Sequence, residues 1–396
     1  MPFSRTLIAR ASLGVILAAA AVVPAQAQWT VVVLNPAGVE NAFAVGVAGP
    51  QQVGSVIISS DRASLWSGTP GSWVNLHPAG ADGGSAALFA QGGQQVGFVG
   101  LDSGFHASLW TGTADSWVDL HPEGVGADSR AYCTFNGQQV GFVSVGSSQH
   151  ASLWSGTADS WSDLNPLGAT ASVAHGVYGG QQVGYAIVGD LQRASLWTGT
   201  ADSWVDLHLA NADSSLAYGT HDGQQVGYVA ISGRSHASLW SGTACSWLDL
   251  TPPGWLSSAA HAVHGGEQVG AVWMLDVAFQ RASLWHGTAD SWVDLHSLLP
   301  VPYDWSVAQG IWRDQGMTYV VGYGMKSDVQ RHQALLWIRY CAGDWNRDGQ
   351  ATVPDIFAFL SAWFAGDLRA NFNGDCCINV NDIFDFLTAW FADCFW

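Results

Sequence analysis

Residues 173–208 read VAHGVYGGQQVGYAIVGDLQRASLWTGTADSWVDLH, and the punctuation of this stretch decides the fold. Apolar and β-branched runs at 173–178, 182–188, 193–197 and 204–208 are short enough to be strands. Gly179-Gly180, Gly189-Asp190 and Gly199-Thr-Ala-Asp-Ser203 separate them. Glycine supplies positive φ, and Asp and Ser close turns by bonding their own backbone. Four strands joined by three tight turns form one up-and-down antiparallel sheet.

The same unit recurs along the chain. Gln-Val-Gly returns at Gln52, Gln95, Gln139, Gln182, Gln225 and Gln268. Ala-Ser-Leu-Trp returns at Ala63, Ala107, Ala151, Ala194, Ala237 and Ala282, then as Ala334-Leu-Leu-Trp337. A Ser-Trp pair followed by x-x-Leu returns at Trp73, Trp117, Trp161, Trp204, Trp247 and Trp292. The first strand occurs seven times, from Ala42 to Val307, and the second and third strands also occur seven times. The fourth occurs six times after the first blade begins. Its missing copy is at the start, where Trp29 with Leu34-Asn35-Pro36 matches Trp73 with Leu76-His77-Pro78. The expected fold is mainly β: a seven-bladed propeller over residues 28–340, closed by the N-terminal strand. Closure removes the open edges that invite aggregation.

Bulk properties agree. The chain has 396 residues, 47 Gly, 22 Trp, a net charge of -18 and one Lys, Lys326. So acidic a chain does not suit nucleic acid, which selects clustered Lys and Arg. Residues 1–27 read as a signal peptide: Arg5 and Arg10, an apolar run from Leu13 to Val23, then Ala25-Gln26-Ala27. The expectation is a secreted or cell-surface protein with no transmembrane segment in the mature chain. Of the six Cys, Cys341 and Cys394 bracket the C-terminal segment and are expected to pair. Cys376 and Cys377 could bridge each other, pair elsewhere or stay free. Cys133 and Cys245 occupy different positions of different repeats and are not paired.

The motifs His106-Ala-Ser-Leu-Trp110, His150-Ala-Ser-Leu-Trp154 and His236-Ala-Ser-Leu-Trp240 resemble the HAF-type repeats of bacterial secreted proteins. Ser stands where that pattern has Phe, and Arg62, Arg193 and Arg281 replace His. The resemblance implies a propeller and leaves its ligand open. A Trp at one position of every blade reads as inter-blade packing. Asp119, Asp163, Asp206 and Asp294 fall one per blade and read as turn hydrogen bonding, since catalytic carboxylates must converge. His175, His221, His261 and His264 fall on or near first strands, which line the channel; with no fixed ligand spacing they do not make a metal site. No Gly-x-Ser-x-Gly elbow or Ser/His/Asp set stands out, so no catalytic residue is assigned. The second-to-third and inter-blade loops vary and share one face. That face is the expected ligand site, with Trp255, Tyr303 and Trp305 as stacking residues.

After Trp337 the composition changes. Asp344-x-Asn346-x-Asp348-Gly349-x5-Asp355 and Asn371-x-Asn373-x-Asp375-x6-Asp382 place oxygens at positions 1, 3, 5 and 12 of EF-hand-like loops. The carbonyls of Gln350 and Cys377 are expected at position 7. Each loop leads into a helix: Ile356-Phe357-Ala-Phe359-Leu360 and Ile383-Phe384-Asp-Phe386-Leu387 open them. This predicts two Ca2+ sites, the second weaker, because it offers two carboxylates against three and Cys376 replaces a turn-forming Gly. The segment 341–396 resembles a Cys-bracketed dockerin. The resemblance implies a small α-helical domain and calcium-dependent docking to a protein partner, cohesin-like or on a cell surface. Val353-Pro354 and Val380-Asn381 stand where cellulosomal dockerins carry Ser-Thr.

The expected function is a secreted, non-catalytic binding or surface-assembly protein, with carbohydrate as a candidate ligand of the propeller. The alternative is a propeller-type polysaccharide hydrolase or lyase recruited through its dockerin. Two facing carboxylates, or a His–Tyr–Arg cluster at the channel, would favour the enzyme.

Overall fold

The computed structural model describes residues 28–102, 104–274, 279–300, 302–314, 317–346, 351–375 and 377–391. They fall into two units, one running Gln28–Cys341 and the other taking in 342–346 and 351–391.

The larger unit is a seven-bladed β-propeller. Each of seven four-stranded antiparallel sheets packs on the next in chain order, and the seventh packs on the first. Blade four is typical: Ala169–Tyr178, Gln181–Val188, Leu191–Trp197 and the two-residue Val205–Asp206 run from the inner to the outer edge. In blade seven the outermost strand is Gln28–Val33 from the start of the chain, paired antiparallel with Arg331–Tyr340. The seven repeated tryptophans of the third strands, Trp66 to Trp337, are each 0% exposed. Trp197 packs with Val140, Leu153 and Leu164 of the preceding blade, so the repeated Trp is inter-blade core. A buried ring of this size contributes roughly 2–3 kcal/mol. In six of the seven the indole N–H finds no acceptor among the described residues, which offsets part of that gain.

The remaining repeat motifs are hydrogen-bond devices. The fourth strands are too short to satisfy the third strands. In six blades a Ser of the next blade fills the gap, as when Ala194 N–H donates to Ser215 Oγ at 2.8 Å. The same hydroxyl lies 2.8 Å from His208 Nδ1. At the last junction Ala334 N–H donates to Asn35 Oδ1 instead. The buried Gln of each Gln-Val-Gly joins two turns: Gln182 Nε2 donates to Gly180 O, and its Oε1 accepts from Gly199 N. Asp119 and Asp163 accept from His106 and His150 at 2.7 Å, while Asp206 and Asp294 accept from Arg193 and Arg281. The repeated carboxylates are therefore turn anchors, and His and Arg interchange because both reach the same oxygen.

The glycine of Gln-Val-Gly is tied to a β-bulge in every inner strand. A Cβ on Gly184 would lie 1.9 Å from Val173 O. The ladder shifts there, between Ala174 and Gly176, leaving His175 as the extra residue.

The smaller unit holds α1 (Val353–Phe364) and α2 (Val380–Phe391). Its core has an internal two-fold. Phe359 stacks on Phe386 with centroids 4.2 Å apart. Trp363 Nε1 donates to Asn379 O, and Trp390 Nε1 donates to Thr352 O. Asp355 and Asp382 are fully buried and hold the loop backbone before each helix. No described helix is long and apolar enough to cross a membrane. Cys133 and Cys245 carry free thiols, and Cys341 is disulfide-bonded. Its expected partner Cys394, together with Cys376, Asp348, Gln350 and the whole segment 1–27, lies outside the described residues.

Ser215→Ala should lower unfolding free energy by about 1–3 kcal/mol in urea titrations, because it orphans the Ala194 N–H. Gly184→Ala should destabilise more than Ser215→Ala does in the same titration, since its Cβ meets backbone.

Candidate functional site

The seven bulges aim seven residues at the axis: Val45, Leu88, Tyr132, His175, Tyr218, His261 and Gln309. All seven line an axial cavity of about 370 Å³. A second tier, three residues further on, comprises Gln91, Phe135, Tyr178, His221, His264 and Trp312, which also line it, and Ala48 in blade one. This tier abuts the first-to-second-strand turns, because Tyr178 ends its strand and Gly179 follows.

The second tier forms an arc of rings in contact, tilted to one another by 34–46°. Centroids are separated by 4.3 Å for Phe135–Tyr178, 4.0 Å for Tyr178–His221, 4.0 Å for His221–His264 and 4.3 Å for His264–Trp312. The first tier is looser: Tyr132–His175 at 4.8 Å, His175–Tyr218 at 5.6 Å and Tyr218–His261 at 5.4 Å. Both arcs span the later blades. Blades one and two contribute Val45, Ala48, Leu88 and Gln91 on the other side.

The cavity is uncharged at neutral pH. Among the described residues no Asp, Glu, Lys or Arg lines it. Burial lowers the pKa of His175 and His264 to about 4, and lowers His221 and His261 as well. Burial also raises Tyr218 to about 12. Backbone contacts fix two neutral tautomers. His261 Nδ1 lies 2.8 Å from Ala308 O and donates to it, which leaves Nε2 as an acceptor. His264 Nδ1 accepts from Arg313 N at 3.2 Å, which puts its proton on Nε2. Asp222 stands at the rim, with its carboxylate 3.3 Å from His221 Nδ1.

The four histidines singled out in the sequence thus meet in the channel. No three His, Cys, Asp or Glu side chains among the described residues are grouped to hold a metal ion. Trp255, Tyr303 and Trp305 spend their rings on packing. Trp255 lies on Trp292 at 5.6 Å, Tyr303 is buried with its hydroxyl donating to Gln333, and Trp305 meets Tyr323 and His332 edge-on. Loop variation pointed to the face opposite the ring arc, and the sequence reading did not single out Tyr132, Phe135, Tyr178, Tyr218 or Trp312. A signal was present in the sequence: in the first six blades the residues seven and four before each repeated Gln change identity, while the Ala before the first of them and the Gln-Val-Gly that follows hold.

No protein-family model matches the chain, and no curated protein matches it. Among solved structures, a puromycin hydrolase complexed with PGG is similar at a TM-score of 0.51 and 11% identity, over 76% of this chain and 54% of that one. This chain thus spans about half the length of that protein. The β-propeller domain of the Trilobed protease from Pyrococcus furiosus aligns at a TM-score of 0.48 and 6% identity, over 76% of this chain and 95% of that one. At such identity the likeness shows the propeller fold alone.

His175 resists protonation when folded but binds protons near pH 6.5 when unfolded. Folding stability should therefore be full above pH 6.5 and fall as pH drops toward 4, by up to about 1.4 kcal/mol per pH unit for this group. Urea midpoints of the full chain and of His175→Gln, compared between pH 7 and pH 4.5, test this; the variant should show the shallower decline.

Proposed function

We propose that the chain is a secreted, non-catalytic binding or surface-assembly protein: the propeller holds a ligand, and the helical unit docks to a partner when calcium is bound. The observation that carries the binding reading is the axial cavity, walled by rings yet free of charged lining residues among those described. Glycoside hydrolysis needs two converging carboxylates. The repeated carboxylates of the propeller are spent instead on turns at the outer strands. We also take the ladder between Gln28–Val33 and Arg331–Tyr340 as the clasp that keeps the ring shut.

Two features support the calcium-dependent half. In the second loop Asn371 Oδ1 is buried without a donor among the described residues, at the position expected to ligate first. Asn373, Asp375, the Cys377 carbonyl and Asp382 complete that set. Asp344, Asn346 and Asp355, with Asp348 and Gln350, form the corresponding first set. The ion would neutralise carboxylates that now lean on backbone N–H groups. Phe357, Phe364, Phe384 and Phe391 are each more than 60% exposed and related by the 27-residue repeat. Such a paired apolar surface suits a cohesin-like or cell-surface partner. Residues 1–27 as a signal peptide, and a Cys341–Cys394 bridge, complete this reading of an extracellular protein.

A second reading, a polysaccharide-degrading enzyme, draws on the channel itself, where His261 with an acceptor Nε2 lies beside Tyr218 and Arg313 adjoins His264. Proton abstraction next to a uronate would require a cation facing the substrate carboxylate, and none lines the cavity among the described residues. Binding is therefore the better account.

Calorimetry of the full chain should resolve two Ca2+ sites of unequal affinity. Asp348→Ala should remove the tighter and Asp375→Ala the weaker; equal losses would contradict the ranking. A pull-down from culture fluid should recover a partner with calcium and lose it in chelator, and recovery unchanged by chelator would sink the docking proposal.

A further inference from the structure

The geometry points to the axial channel as a binding site for an uncharged, hydroxyl-rich sugar of one or two rings, entering beside the first-to-second-strand turns. This rests on the reading of the propeller as a binding protein and names what it binds.

Size comes first. About 370 Å³ lies near the lower end of small-molecule sites and is too little for a long oligosaccharide enclosed whole. Charge comes second. A uronate or phosphate buried here would lose its hydration with no cation among the described lining residues, a large uncompensated cost. The net charge of -18 opposes anions further.

The edge chemistry is the most selective term. The tilted contacts from Phe135 through Trp312, with centroids 4.0–4.3 Å apart, cover much of each ring face with a neighbouring ring. What remains for a ligand is mainly edges: the Tyr132 and Tyr178 hydroxyls already meet Arg130 and Asp222, while the edges of Tyr218 and the four histidines carry O–H, N–H or a bare nitrogen. His264 holds a donor at Nε2 and His261 an acceptor at Nε2. A sugar hydroxyl is both donor and acceptor, so it satisfies either tautomer without a proton shift. A purely aromatic ligand would leave these edges unpaired, and a site built for hydroxyls rejects analogues lacking them.

The asymmetry of the ring supplies the second half of the fit. Val45 and Leu88 face the arc from blades one and two with hydrocarbon, and Ala48 leaves space beside Gln91. A pyranose is two-sided in the same way, with hydroxyls around its rim and C–H groups on its face.

Calorimetry on the full chain would use cellobiose, maltose, xylobiose and lactose as neutral probes, digalacturonate as an anionic probe and indole as an aromatic one. At least one neutral disaccharide should bind saturably, and digalacturonate and indole should not. Tyr218→Phe, which removes one hydroxyl and keeps the ring, should weaken binding about tenfold with an unchanged thermal midpoint, and His264→Ala should weaken it further. Binding by none of the four neutral sugars, or binding by digalacturonate or indole instead, overturns the sugar site. Sugar binding that both variants leave intact places the site elsewhere and overturns the channel assignment while the binding-protein reading stands. If whole culture-derived glycan and protein fractions also fail to bind the propeller, that reading falls as well.

Discussion

The ring depends on a hydrogen bond that no blade can make for itself. In six blades the outer strand is two residues long, as with Val205–Asp206, so one N–H of the third strand has no ladder partner. Left buried and unpaired it would cost roughly 1–3 kcal/mol. The hydroxyl of Ser215 reaches it from the next blade, and the same geometry recurs through Ser85, Ser129, Ser172 and Ser258. Each blade is thus completed by its successor. The last junction is chemically distinct: Asn35 and Asn41 replace the hydroxyl with amide oxygens that accept from Ala334 and His332. Those two asparagines flank the end of the N-terminal strand and the start of blade one.

The same economy produces the site. The glycine of each Gln-Val-Gly accepts a carbonyl where a Cβ would stand, and the inner strand bulges beside it. A bulge leaves one residue outside the ladder, and in an inner strand that residue faces the axis. Framework and site are therefore decoupled. The scaffold residues recur almost unchanged while the bulged position runs through Val, Leu, Tyr, His, Tyr, His and Gln. Seven near-identical blades can build one asymmetric cavity because the bulged residue, and the one three positions further on, vary while the Val-Gly framework holds.

The helical unit repeats this logic on a smaller scale. Its halves are related by 27 residues, and every core contact has a counterpart: Phe359 with Phe386, Trp363 with Trp390, Asp355 with Asp382. So few buried residues give a marginal core. The fully buried Asp355 and Asp382 concentrate negative charge at the loops, where a cation would have most to add.

By itself the sequence determined what is periodic. Blade number, strand order, the buried tryptophans and the tandem helices follow from spacing, because strand and helix periods and turn chemistry are local. The four channel histidines were also legible, since inner strands must face the axis. Only the tertiary structure decided what those histidines do there. That Phe135, Tyr178, His221, His264 and Trp312 form one continuous arc of contacting rings depends on residues about forty positions apart meeting across blade boundaries. The tautomers of His261 and His264 depend on a carbonyl and an amide from blade seven. Periodicity records which residues are alike, whereas a binding site is made where the blades differ, and the fold alone brings those differences to one point.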